Sequence, residues 1–199
     1  MVGNAGDIHV HAQEAAHRHS DLPRDPRGWV LLHRKTGFAL RLIDAGKYYF
    51  LSRPRRFGKS LFLDTLADLF AGSEALFTGL EAHARWDWSR RFPEVQLSFG
   101  AGVVQSRAEL ERRIRAPLAR NASTLGLACS DADDIAGCFA ELIEQAHERH
   151  GAPVVVLVDE YDKPILDNLT RPEAARDIRD GLRNLPSSRT ATRTSASRS

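Results

Sequence analysis

The stretch Tyr48-Tyr49-Phe50-Leu51-Ser52-Arg53-Pro54-Arg55-Arg56-Phe57-Gly58-Lys59-Ser60 decides how the rest of the chain is read. The apolar run from Tyr48 to Leu51 predicts a buried strand and the Arg/Pro cluster a turn. From Ser60 a helix is expected, with Phe62, Leu66 and Leu69 on one face. A bound polyphosphate needs inward-pointing backbone N–H groups, a helix N-terminus, a flexible cation and a hydroxyl for Mg²⁺. Gly58, Lys59 and Ser60 supply these in the order of the G-x-x-x-x-G-K-[ST] motif. Arg53 stands where that motif has its first glycine, and arginine does not take φ > 0 as glycine does. The half motif therefore draws its weight from the strand before it and the helix after it. The bland alternative is a strand-to-helix turn with a chance Gly-Lys-Ser.

A second landmark lies about a hundred residues downstream, where Val154-Val155-Val156-Leu157-Val158 runs into Asp159-Glu160-Tyr161-Asp162-Lys163-Pro164. An unbroken apolar run, opened by Gly151 and Pro153 and closed by acids, predicts a strand buried on both faces of a parallel sheet. Ligands of open α/β sheets bind at the carboxyl ends of such strands. Asp159 is then placed to hold Mg²⁺ with the Ser60 hydroxyl, and Glu160 to orient the attacking water and accept its proton. Asp162 suits pairing with an arginine or service as a further acid. A strand ending in solvated acids is the ordinary alternative for Asp159 and Glu160, and it weakens once Gly58-Lys59-Ser60 is counted, since each half needs the other.

The totals fit one globular domain. The 199 residues are 42% hydrophobic and 27% charged, enough for a sizeable core. No apolar run approaches the roughly 18 residues of a spanning helix, and the N-terminus lacks the pattern of a secretory signal. Cys129 and Cys138 have no metal-ligand spacing and are expected to stay reduced thiols in the cytosol. A net charge of +2 does not argue for nucleic acid.

Residues 1–34 show no sustained period and are expected to be poorly ordered, their histidines solvated rather than metal-binding. From Lys35, Phe38, Ala39, Leu42 and Ile43 predict a helix ending at Gly46. Glu94 to Phe99 alternates as a strand. Leu110, Ile114 and Leu118 give a helix that Pro117 should end or kink. Ile135, Phe139, Leu142, Ile143 and Ala146 give another, with His147 and His150 near its carbonyl end. Ile178, Leu182 and Leu185 stripe a last helix from Arg171. The expected fold is α/β, a P-loop NTPase-type parallel sheet flanked by helices and incomplete at the C-terminus, over residues 35–185, with a disordered Arg/Ser/Thr tail at 186–199.

Both landmarks together resemble the AAA-ATPase-like P-loop proteins of bacteria and some anaerobic eukaryotes, which usually carry a PD-(D/E)XK nuclease-like domain at the C-terminus. The likeness covers roughly Lys35 to Leu185. It is carried by Lys35-Thr36, by Gly46 to Leu61 with its Arg-Pro-Arg-Arg-Phe-Gly-Lys-Ser run, and by Val158 to Leu166. It implies ATP and Mg²⁺ as cofactors. By the resemblance, Arg53, Arg55, Arg56, Phe57, Gly58, Lys59, Ser60 and Leu61 are expected to bind the nucleotide, Ser60 and Asp159 to hold the metal, and Glu160 with Lys59 to act on the terminal phosphate. A nucleic-acid partner would enter through the nuclease-like domain, and no membrane is implied.

The flanks depart from the family. Leu31-Leu32-His33-Arg34 is what one coding of Phe-Tyr-Tyr-Ile-Asp spells when read two bases late. Pro186 to Thr190 likewise matches Ser-Val-Ile-Lys-Asp read one base late. We therefore expect out-of-frame translation on either side of the 35–185 core, the loss of a further strand with its γ-phosphate-sensing residue, and weak or absent hydrolysis. An ATPase module, a nucleotide- or nucleic-acid-binding module without turnover, and a non-functional gene fragment all stay open at this point.

Overall fold

A computed structural model describes residues 26–46, 49, 51, 58–183 and 185, with side chains of the first helix from Lys35 onward. The chain divides into two compact units, one from the stretch up to Gly46 with Phe77–Trp86, the other from Lys47–Leu76 with Asp87 onward.

The first unit pairs helix α1 (Pro26–Ala45) with the short helix α3 (Glu81–Arg85). Regular apolar spacing begins only at Lys35, yet α1 starts at Pro26, a residue suited to the first turn because its missing N–H would find no helical acceptor there. Ala39 and Leu40 are buried in it, and so is Thr36. Gly37 admits the Glu81 side chain, whose carboxylate occupies the space a Cβ would take.

The second unit holds helix α2 (Lys59–Phe70), strand β1 (Glu94–Ser98), helices α4 (Arg107–Leu125) and α5 (Ile135–His150), strand β2 (Val155–Asp159) and helices α6 (Lys163–Leu166) and α7 (Pro172–Arg183). The fold class is mixed α/β. β1 and β2 pair in parallel, Val95 opposite Val156 and Leu97 opposite Val158, and the connection between them carries α4 and α5, as parallel pairing requires. Val95, Leu97 and Phe99 form the core with Leu110, Ile114 and Leu118 of α4 and Phe139 and Leu142 of α5. α7 adds Ile178, which is fully buried.

Several expectations change here. Tyr49 and Leu51 are not in a strand, and the rest of the Tyr48–Leu51 stretch lies outside the described residues. Among the described residues no strand pairs with the second edge of β2. β2 is not buried on both faces, because Val158 is 38% exposed and only Leu157 of the strand is buried. α4 continues through Pro117, and Asn121 donates through Nδ2 to the Pro117 carbonyl at 2.7 Å. The same Asn121 meets the outer edge of β1, accepting from the Gln96 N–H and donating to its C=O, both at 2.9 Å.

Cys129 and Cys138 are joined in a disulfide with their Cα atoms 5.1 Å apart, not held as free thiols. The loop after Gly126 folds back onto the start of α5, bringing together residues nine positions apart. A count of cysteines cannot show that approach. The loop is also tied by Ser130, which donates from its N–H and hydroxyl to Glu141 at 2.8 and 2.6 Å.

Candidate functional site

The site forms at the carboxyl end of β2, where α2 begins. Gly58 has φ 69° and ψ 36°, a left-handed conformation that favours glycine, and from it the chain turns directly into α2. Phe62, Thr65, Ala67 and Leu69 are buried along the helix, with Leu66 half-buried beside them. That packing holds α2 against β2 and aims its first turn at the strand tip.

There the Ser60 hydroxyl donates to Asp159 Oδ2 at 2.7 Å, across 99 residues of sequence. The other carboxylate oxygen, Oδ1, accepts the Glu160 N–H at 2.9 Å, so Asp159 is held from two sides. Among the described residues the Lys59 ammonium forms no ion pair. Leu61, two residues further on, is 39% exposed. Arg53, Arg55, Arg56 and Phe57 lie outside the described residues.

Glu160 has φ 51°, and among the described residues it is the one non-glycine in the left-handed region. Its side chain leaves the strand tip toward β1. A Cβ built on Gly100 would sit 3.4 Å from the Glu160 Cδ and Oε2. Asp162, read as a partner for an arginine or as a further acid, precedes α6, its carbonyl accepting the N–H groups of Ile165 and Leu166.

The loop after β1 also borders this tip, and apolar periodicity gives no sign of it. Lys163 donates to the Gly102 carbonyl at 2.5 Å, Arg113 to that of Ala101, and the fully buried Asn168 to that of Val104 at 2.5 Å. Two glycines in Gly100-Ala101-Gly102, directly after a strand, were the available signal.

Ser60 and Asp159 thus bring a hydroxyl and a carboxylate, both hard oxygen donors, to one point beside a helix N-terminus and a lysine. The profile of the AAA-ATPase-like family, described as predicted AAA-ATPase, matches residues 30–194. The chain belongs to that family. A relative from Azotobacter chroococcum mcd 1, named as an uncharacterized protein in the vnfD 5'region, is 66% identical over 151 residues, which is 76% of this chain. The chain spans 29% of that relative's length. No solved structure matches the chain. Among the described residues no helix is long and apolar enough to cross a membrane.

Proposed function

We propose that this AAA-ATPase-like chain is a Mg²⁺-dependent ATP-binding module, with hydrolysis of the terminal phosphate as the reaction of longer proteins containing such a region. The observation that carries the reading is the Ser60–Asp159 hydrogen bond, which joins the Gly-Lys-Ser segment to the acidic strand tip across 99 residues. Mg²⁺ takes oxygen ligands and keeps several waters, and a hydroxyl beside a carboxylate is a donor set that fits it. Bound there, the ion would neutralise charge on the β- and γ-phosphates.

The remaining roles belong to the chain's own groups. Gly58 turns the backbone so that the first N–H groups of α2 face the phosphates, and the Lys59 ammonium adds a mobile positive charge. The family resemblance gives Arg53, Arg55, Arg56, Phe57 and Leu61 a nucleotide-binding role as well. Glu160 orients a water in line with the γ-phosphorus and takes its proton. The water oxygen bonds to phosphorus, the bond to the β,γ-bridging oxygen breaks, and that electron pair leaves with ADP. The Ser60–Asp159 pair is exposed to solvent. Charge stabilisation is strongest where water is excluded, so we expect weak binding and slow turnover in this polypeptide alone. A nucleic-acid partner would belong to a C-terminal nuclease-like domain of longer members.

Calorimetry of ATP with and without Mg²⁺ tests the reading on wild type, Lys59→Ala and Asp159→Ala. Mg²⁺-dependent affinity should fall about tenfold or more in each variant, a change of about 1.4 kcal/mol. Equal affinities in all three refute the site. A tight Mg²⁺-dependent complex that releases no phosphate identifies a binding module without turnover.

A further inference from the structure

Glu160 is strained and its strain is held in place. A left-handed conformation costs a non-glycine residue about 1–2 kcal/mol, and it persists only where the surroundings over-determine it. Two backbone contacts do so: the Glu160 N–H donates to Asp159 Oδ1 at 2.9 Å, and the Glu160 carbonyl accepts the Lys163 N–H at 3.0 Å. The side chain needs a third support. Its carboxyl lies against Gly100, so the path of the 100–104 loop sets where the carboxylate can rest.

Lys163 touches both parts of this arrangement. Through its backbone it closes the turn at Glu160, and through its ammonium it reaches the Gly102 carbonyl at 2.5 Å. Asp167, one helical turn on, holds the same ammonium at 2.5 Å, and the two side chains are only 19% exposed. Asn168 extends the tie by donating to Val104 O and Pro164 O at 2.5 and 2.8 Å while accepting from Arg171 at 2.6 Å. α6 is thereby bonded to the loop on which the Glu160 carboxylate sits.

We propose that Lys163 is a positioning residue for Glu160, acting through the Gly100–Val104 loop. The proposal rests on the hydrolytic reading above, with Glu160 as the water-orienting acid. Its alternative is a staple that holds a surface loop without regard to Glu160. The two differ in what they predict for ligands that do and do not need an oriented water.

The test measures, in the full chain with Mg²⁺, the affinity for the unreactive β,γ-imido analogue of ATP and for ADP with aluminium fluoride, which mimics the transferring phosphoryl group. Wild type, Lys59→Ala, Lys163→Met, Lys163→Arg and Glu160→Gln are compared. Lys163→Met should keep its affinity for the imido analogue within about threefold and weaken the aluminium fluoride complex about tenfold or more. Glu160→Gln should do the same, and Lys163→Arg, which retains a cationic donor for the Gly102 carbonyl, should recover part of the loss. An unchanged aluminium fluoride complex in Lys163→Met overturns the positioning role, as does an equal loss for both ligands. If wild type binds the imido analogue in a Lys59-dependent way but not ADP with aluminium fluoride, the positioning role is likewise overturned while the nucleotide site stands. If wild type binds neither, the site and the role of Lys163 fail together.

Discussion

β1 alternates buried and exposed residues, with Val95 and Leu97 in the core, whereas β2 has more consecutive apolar residues and leaves Val158 38% exposed. The difference lies in the neighbours. β1 has β2 on one side and the Asn121 carboxamide on the other, and α4 and α5 contribute to the core beneath it. β2 has β1 on one side, and its tip holds Asp159 and Glu160. A strand's hydrophobicity states its demand for cover, but whether cover arrives is decided by other segments. The better-supported strand is structural here, and the partly exposed one carries the proposed chemistry.

Truncating equivalent positions tests this contrast most strongly. Leu97→Ala should cost about 2–5 kcal/mol in denaturant unfolding, because a buried side chain leaves a cavity. Val158→Ala, opposite it in the register, should cost about 1 kcal/mol or less. Similar costs would erase the distinction between the strands. Next in size is reduction of the Cys129–Cys138 bridge, which closes a short loop and should lower stability by about 2.5 kcal/mol on chain-entropy grounds. Because that loop packs with α5 and not at the β2 tip, reduction should leave Mg²⁺-dependent nucleotide affinity unchanged. A coupled loss would show that the two regions are not independent.

Asn121→Ala should cost about 1–2 kcal/mol, since it strips the Gln96 N–H and C=O of their partner. Faster hydrogen exchange at the Gln96 amide would locate the effect at the β1 edge, and unchanged exchange there would remove Asn121 from this account. The smallest effect is acidic. Hydrogen bonds from the Ser130 hydroxyl and N–H hold the Glu141 carboxyl below its ordinary range. A lowered folded-state value means the stabilisation is present above the unfolded carboxylate range and is lost as pH falls through the folded value. Glu141→Gln should therefore flatten the dependence of the thermal midpoint on pH below about 5.

Much of the helical framework could be read in advance from spacing alone. Leu110, Ile114 and Leu118 are buried at four-residue intervals, and Ile135, Phe139, Leu142 and Ala146 are buried at intervals of four, three and four. The approach of Ser60 to Asp159 was legible as well, because a Gly-Lys-Ser helix start and an acidic strand end each weaken the ordinary reading of the other. What stayed hidden depends on backbone paths. Nothing in the residue types near Cys129 announces that its loop returns to α5, or that Asn121 spans a helix carbonyl and a strand edge. Of the two outcomes expected at Pro117, an end does not occur, because α4 runs on to Leu125; a proline removes one N–H, and the flanking turns carry the helix past it. The tie from Lys163 to Gly102 joins residues 61 positions apart and has no periodic signature.

The left-handed turn at Glu160 bears on any attempt to make this protein sturdier. Glycine relaxes in that conformation, so screening variants for heat resistance alone would tend to enrich glycine at position 160. Each such clone would melt later and lack the carboxylate. A search for robust variants therefore needs a second filter at this codon, or it will select against the acid it hopes to preserve.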